Sequence, residues 1–247
     1  MKDFKKNKEN YCIDIGIENI HWWFSVRRQI LNNLISNLNF SKKEWAIDVG
    51  CGVGSNLKVL KSKEMNVIGL DKSFNVLRTN IQKIKLPLVN GDLHNLPFKP
   101  NSFKLIIAMD VLEHLDNDEI GIEEIYRILD KGGILILTVP AFNFLWGLQD
   151  EITGHKRRYL QKEIFKKLVS KNFCILKSSY FNFFFFFPIL LTRRLIYILK
   201  LKIESENKIN FFLLNSILKI IFSIETYWLR FFSFPFGVSI LFLAKKE

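Results

Sequence analysis

Short apolar runs alternate with amphipathic stretches through the first 140 positions, the rhythm of a parallel sheet wrapped by helices. Residues 20–38 (IHWWFSVRRQILNNLISNL) read as a helix with an aromatic leading end. Strands are predicted over 45–49 (WAIDV), 66–71 (NVIGLD), 87–91, 103–109 (FKLIIAM) and 134–139 (ILILTV). Helices are predicted over about 55–63, 73–84 and 117–129, and Lys131-Gly132-Gly133 reads as a turn. Farther on, 161–171 reads as a helix, 173–180 (FCILKSSY) as a sixth strand and 237–244 (GVSILFLA) as a seventh.

Between those last two strands lie about 55 residues that a minimal α/β domain does not require. Residues 183–202 are almost continuously apolar, but Pro188 and the Arg193-Arg194 pair interrupt them. In 210–232, Asn215, Lys219, Ser223, Thr226 and Arg230 recur at helical spacing, a narrow polar stripe on an otherwise apolar helix. Neither stretch offers the roughly 20 uninterrupted apolar residues of a spanning helix, so an interfacial or packed hairpin fits better. Three roles stay open: a membrane anchor or lipid-acceptor channel, a hairpin that extends the core, or a dimer interface. The chain reads as one domain over 1–247, with a helical cap at 1–43 and a Phe-rich insertion at 181–235.

At 247 residues and 49% hydrophobic, the chain can bury one sizeable core, and disordered or fibrous classes are excluded. The net charge of +12 is unevenly placed. Residues 1–150 carry 19 Lys/Arg against 18 Asp/Glu, whereas 151–247 carry 17 against 6. Thirteen of the 24 phenylalanines lie between Phe181 and Phe236, inside the basic part. Basic and Phe-rich together point to an anionic, greasy partner at least as strongly as to nucleic acid. Cys12, Cys51 and Cys174 are too scattered for a disulfide framework or a zinc cluster, so no metal site is assigned and a reducing cytoplasm is expected. The charged start leads into no apolar core of a signal peptide.

The chemistry concentrates after the first strand, in Asp48-Val49-Gly50-Cys51-Gly52-Val53-Gly54-Ser55. Glycines there let the backbone turn sharply and approach a ligand. Ser55 stands where a dinucleotide fingerprint needs a third glycine, so the pattern is D-x-G-x-G-x-G. Asp71 ends the second strand, where an acid can accept hydrogen bonds from ribose hydroxyls, and Asp92 ends the third. Three acids at successive strand ends face one crevice and suit a cationic, adenosine-bearing ligand better than a pyrophosphate.

These residues, with Leu96-Pro97-Phe98 and Asp110-Val111-Leu112-Glu113-His114-Leu115, resemble a class I S-adenosylmethionine-dependent methyltransferase over roughly residues 44–140. The resemblance implies a Rossmann-like α/β fold, a seven-stranded mostly parallel sheet with its last strand antiparallel. It implies that S-adenosyl-L-methionine is the cofactor. Asp48 and the backbone at Gly50, Cys51 and Gly52 would hold the methionine end, and Asp71, with Lys72 beside it, the ribose. Asp92 and the Leu93 backbone would meet the adenine, and Met109 would line the pocket. Outside the core, Glu18-x-x-His21-Trp22-Trp23-Phe24 with Arg27-Arg28, and Gly154-His155-Lys156-Arg157-Arg158-Tyr159, are similar to a bacterial methyltransferase subgroup associated with glycan or lipid biosynthesis.

Methyl transfer from a sulfonium is an in-line displacement, so alignment dominates and a histidine base assists. His155, beside Arg157, Arg158 and Tyr159, is the first choice for base or acceptor contact, and His114 the second. His94 reads as surface. His21 and Trp22 either cover the pocket or simply pack on the sheet, and Glu113 lines the pocket. Arg157 and Arg158 either clamp an anionic acceptor or make internal salt bridges. The expected acceptor is a small molecule, a glycan or a lipid-linked compound. An anionic membrane surface is the expected partner of 181–235, which would place the protein at the inner face of a membrane. The sequence leaves the oligomeric state open. Nucleic acid is disfavoured because Asp110-Val111-Leu112-Glu113 stands where base-amine methyltransferases carry an Asn/Asp-Pro-Pro-aromatic loop.

Overall fold

The computed structural model describes residues 18, 20–78, 85–199 and 212–247. Its strands are β1 (Trp45–Val49), β2 (Asn66–Asp71), β3 (Leu88–Asn90), β4 (Phe103–Met109), β5 (Leu129–Pro140), β6 (Phe173–Phe181) and β7 (Ser239–Lys246). They form one sheet in the order β3-β2-β1-β4-β5-β7-β6. Only β7 runs antiparallel to its neighbours, β5 and β6. The parallel part of the sheet is the one expected from the alternating pattern, and the antiparallel last strand is the one the methyltransferase resemblance implies.

The helices are α1 (Trp22–Ser36), α2 (Ser55–Lys61), α3 (Asp118–Ile128), α4 (Leu148–Thr153), α5 (Gln161–Ser170), α6 (Phe186–Ile198) and α7 (Phe212–Trp228). Helix α1 begins where the His21 ring accepts the Trp23 N–H, and it buries Val26, Ile30, Leu31 and Ile35 along one face. Helix α3 is capped by Asn117, which accepts from the Glu119 and Ile120 N–H groups. Two apolar layers sandwich the sheet. Ile106, Ile122, Ile125 and Leu135 belong to one, and Val26, Leu57, Leu105, Ile107, Phe181 and Phe222 to the other.

One expectation needs correction. Lys131-Gly132-Gly133 is not a turn between elements but part of β5, taken up as an irregularity in its pairing with β4. Gly132, at φ +69°, absorbs the distortion. The helix expected over 73–84 is present over 74–78, and 79–84 lie outside the described residues. The short helix α4 and the 3₁₀ turns Leu112–His114 and Asn143–Leu145 were not foreseen, because segments this short carry no periodicity to read. Within the caps and insertion, 1–17, 19 and 200–211 also lie outside the described residues.

Candidate active site

The chain leaves β1 through a loop built on positive backbone angles at Gly50 (φ +73°), Gly52 (φ +51°) and Gly54 (φ +78°). A Cβ on Gly50 would stand 2.5 Å from Val111 Cγ2, whereas one on Gly52 would meet nothing within 4 Å. Gly50 is thus fixed by packing, and Gly52 faces open space. The Gly50 and Cys51 N–H groups donate to the Leu70 carbonyl, tying the loop to β2. Asp71 braces it from the other side, with Oδ2 accepting from the Gly52 N–H (2.9 Å) and Oδ1 from Ser73 (2.8 Å).

Asp48 lies buried beneath this loop, and its Oδ2 has no hydrogen-bond partner. Burial pushes its carboxyl up to about 8, with a bond to Asn56 pulling the other way and the Glu18 and Asp71 charges adding to the rise. A cationic ligand over Gly52 would satisfy that acid and bring it down. The open cradle and the orphaned acid fit the sulfonium and ammonium end of S-adenosylmethionine. Asp92 is already engaged: it accepts from the His94 N–H (2.9 Å) and ring (2.7 Å) and pairs with Lys72 (2.6 Å). The His94 backbone bond and the Lys72 contact hold its carboxyl well below the usual range. Lys72 thus points to Asp92, while the Leu93 side chain is core.

A cavity of about 540 Å³ opens beside the cradle. Gly50, Cys51, Gly52, Asn56 and Met109 line one end, His114, His155 and Arg158 the middle, and Phe185, Ile189, Ile196 and Leu218 the other. His21, Trp22 and Arg27 of the leading helix cover it. Asp110, at φ +56°, turns its carboxylate to Arg27 (2.8 Å) and accepts from Thr138 (3.1 Å). Arg27 thereby latches α1 to the ends of β4 and β5. This pair was not foreseen, because its members lie on separate elements.

His155 is held by a second acid, Asp150, to which the sequence assigned no role. The fully buried Asp150 Oδ1 takes the His155 Nδ1 contact at 2.8 Å and the Arg158 Nε–H at 2.9 Å, while Oδ2 accepts from the Gly147 N–H. Burial alone would raise the Asp150 carboxyl, but the His155 bond and the Arg158 and Arg193 charges outweigh it and hold it at about 2. An ionised Asp150 can only accept, so Nδ1 carries the ring proton and Nε2 is left as a base. That nitrogen lies 3.8 Å from Glu113, and the ring meets His114 edge-on at 4.8 Å.

Glu113 is fully buried with both oxygens unpartnered, and burial next to Asp110 raises its carboxyl. Burial and His155 lower the His114 ring, and burial takes His21 down to about 4. Ligating atoms of Glu113, His114 and His155 lie within 4.8 Å of one another, a proximity the absence of a Cys/His pattern had hidden.

Two predicted contacts go elsewhere. Tyr159 donates to Asp118 (2.9 Å) in the core on the far side, and Arg158 spends its Nε on Asp150 and an Nη on the Ala141 carbonyl. Arg157 likewise donates to the Leu115 and Asp116 carbonyls, so both arginines make internal contacts, and Arg158 does so while lining the cavity.

Residues 47–137 match the methyltransferase domain family. Over those residues the chain matches a methyltransferase domain, in keeping with its class I fold. It is 35% identical over 152 residues to an uncharacterised protein of Methanocaldococcus jannaschii, covering 60% of this chain and 62% of that one. Another uncharacterised protein of that organism is 31% identical and is spanned over 50% of its length. Demethylmenaquinone methyltransferase of Staphylococcus aureus is 27% identical over 74% of this chain and 82% of its own. Among solved structures, a chain of the complex between the Haloferax volcanii Trm112 methyltransferase activator and a methyltransferase superposes with TM-score 0.63 at 15% identity, over 96% of both chains. A Bacillus halodurans methyltransferase superposes at 0.58 and 19% identity, over 87% of this chain and 98% of its own. Haemonchus contortus phosphoethanolamine N-methyltransferase 2, which superposes with TM-score 0.57 at 19% identity, was solved in complex with S-adenosyl-L-methionine, and the cradle described above fits that cofactor.

Proposed function

We propose that this protein transfers a methyl group from S-adenosylmethionine to a small-molecule, glycan or lipid-linked acceptor, with His155 as general base. One observation carries the reading: the glycine cradle and the Asp150–His155 pair open into the same cavity. Bound S-adenosylmethionine supplies an electrophilic methyl carbon, whose bond to sulfur breaks with its electron pair staying on sulfur as the acceptor bonds to carbon. Asp48 and the Gly50–Gly52 backbone hold the methionine end, and Asp71 meets the ribose. His155 Nε2 takes the proton that the acceptor releases, and Asp150 fixes the ring that does so. Asp110 and Arg27 close α1 over the site and limit access of water. The demethylmenaquinone methyltransferase relatives support a small organic acceptor.

The reading extends to a membrane surface for 181–235. Among the described residues no helix is long and apolar enough to cross a membrane, so the contact would be peripheral.

The test is calorimetry with S-adenosylmethionine, followed by transfer of labelled methyl from the cofactor into a small-molecule and lipid extract. Cofactor binding with release of S-adenosylhomocysteine, lost in His155→Ala, is the expected result. Absence of cofactor binding overturns the proposal.

A further inference from the structure

We infer that the acceptor is an amphiphile whose apolar chain lies in a slot between α1 and the α6–α7 pair and enters from a lipid surface. This rests on the methyl-transfer reading above. The polar and apolar groups of the cavity are sorted by position. Arg27, Asp110, His114 and His155 gather by the cradle, whereas Phe185, Pro188, Ile189, Ile196, Leu214 and Leu218 form the far wall. Arg193, the charged residue on that side, bonds to the Leu145 carbonyl and faces Asp150, so it does not interrupt the wall.

Helix α7 divides its apolar side chains between the protein and solvent. On the inner side Phe222 and Thr226 are buried, and Asn215 accepts from the Trp22 N–H (2.7 Å) and donates to the Ile20 carbonyl (2.9 Å). On the outer side Leu213 is 72% exposed, Ile220 62% and Phe231, just beyond the helix, 65%. Helix α6 does the same with Leu191, Tyr197 and Ile198. The same two helices therefore wall the cavity on one side and present bare apolar surface on the other. Leu214 belongs to both, lining the cavity while 39% exposed.

The charges select the occupant of that outer face. Arg194, Lys219 and Arg230 are exposed around it, and Glu225, the one acid of α6 and α7, is buried. An anionic lipid surface complements this pattern, and a second copy of the same basic face would repel it. A chain-bearing molecule resident in that surface could pass its tail along Leu214 and Ile196 while its polar end reaches His155.

The full-length protein should bind cis-parinaric acid, a fluorescent polyene fatty acid, with emission that rises on entering an apolar slot. Ile196→Trp and Leu214→Trp fill the slot and should each weaken binding at least tenfold, while S-adenosylmethionine affinity measured by calorimetry stays within a few-fold. Ile220→Ser, on the outer face, should leave probe affinity unchanged. Should either Trp variant melt early, Ile196→Ser, which removes apolar wall without adding bulk, replaces it with the same expected loss. No probe binding, or loss in Ile220→Ser but not in the slot variants, overturns the inference. Because cofactor binding is read separately, that result leaves the methyl-transfer reading standing.

Discussion

Asp150 takes contacts from the His155 ring and the Arg158 guanidinium on one oxygen, with Arg193 beside the other, so its charge is fixed by three neighbours at once. Asp150→Asn keeps the shape but lets the imidazole adopt the other tautomer. Methyl transfer should fall about a hundredfold or more, the usual scale for losing a positioned base, with cofactor affinity within a few-fold. Its folded carboxyl, at about 2, lies below its value in the unfolded chain. The stability it contributes is therefore complete above about pH 4 and lost as pH falls through 2, on the order of 2 kcal/mol. Acid unfolding followed by circular dichroism should show that loss in the native protein and not in Asp150→Asn. Asp71→Ala should weaken S-adenosylmethionine binding tenfold or more by calorimetry, since each charge-assisted bond is worth about 1.5–3 kcal/mol. The variant also frees the Gly52 N–H that Asp71 holds. The positions of Asp48, Gly50 and Asp71 were legible in the sequence because β1, its glycine turn, the helix after it and β2 follow one another along the chain. The Arg158-Tyr159 pair misled for a physical reason. The segment is extended, with Tyr159 bridged to Ala141, so adjacent side chains point to opposite sides: Arg158 to Asp150 and Tyr159 to Asp118.

The junction of β6 and α6 depends on Glu225 of α7, whose carboxylate takes the N–H groups of Asn182 (2.5 Å), Phe183 (2.8 Å) and Phe184 (3.3 Å). Burial pushes this carboxyl up to about 7 despite the three donors. A raised acid binds its proton more tightly in the folded state. Stability from this group is therefore highest below about pH 4.5 and declines as pH rises to about 7. Thermal unfolding across that window should show the decline, and Glu225→Gln, which keeps an acceptor oxygen, should remove it. An unchanged slope in the variant would assign the titration elsewhere. At this scale the sheet was legible, since strands buried on both faces announce themselves as apolar runs. The polar stripe of α7 was legible as well, but its direction was not. Periodicity locates a stripe on a helix without saying whether water or protein faces it. Asn215 clamps the start of α1 and Thr226 is buried, whereas Lys219 of the same stripe is exposed, so the stripe is shared between protein and solvent.

For the molecule as a whole, the excess of basic residues after position 150 and the outward apolar side of α6 and α7 coincide in space. Much of the remaining basic charge is neutralised locally: Lys156 pairs with Asp116, Lys167 with Asp118 and Lys171 with Glu123. Arg194, Lys219 and Arg230 are exposed beside the apolar face, and each such residue near an anionic bilayer contributes about 1 kcal/mol. Trp228, Tyr227 and Tyr197 are exposed with them, and their rings suit the headgroup level, where an apolar body meets a polar edge. Burial of the exposed leucine, isoleucine and phenylalanine side chains adds the larger, salt-independent part of the attraction. The two contributions make separable predictions in liposome flotation. Binding should require anionic lipid and weaken as salt rises from 50 to 300 mM, values on the scale over which the Debye length shrinks to a few ångströms. Arg194→Glu with Lys219→Glu should abolish the dependence on anionic lipid. Ile220→Ser with Phe231→Ser should lower binding at every salt concentration, because it removes inserted surface and leaves the charges in place. A protein that remains monodisperse without detergent and ignores anionic vesicles at 50 mM salt would show that the bare face of α6 and α7 has another partner.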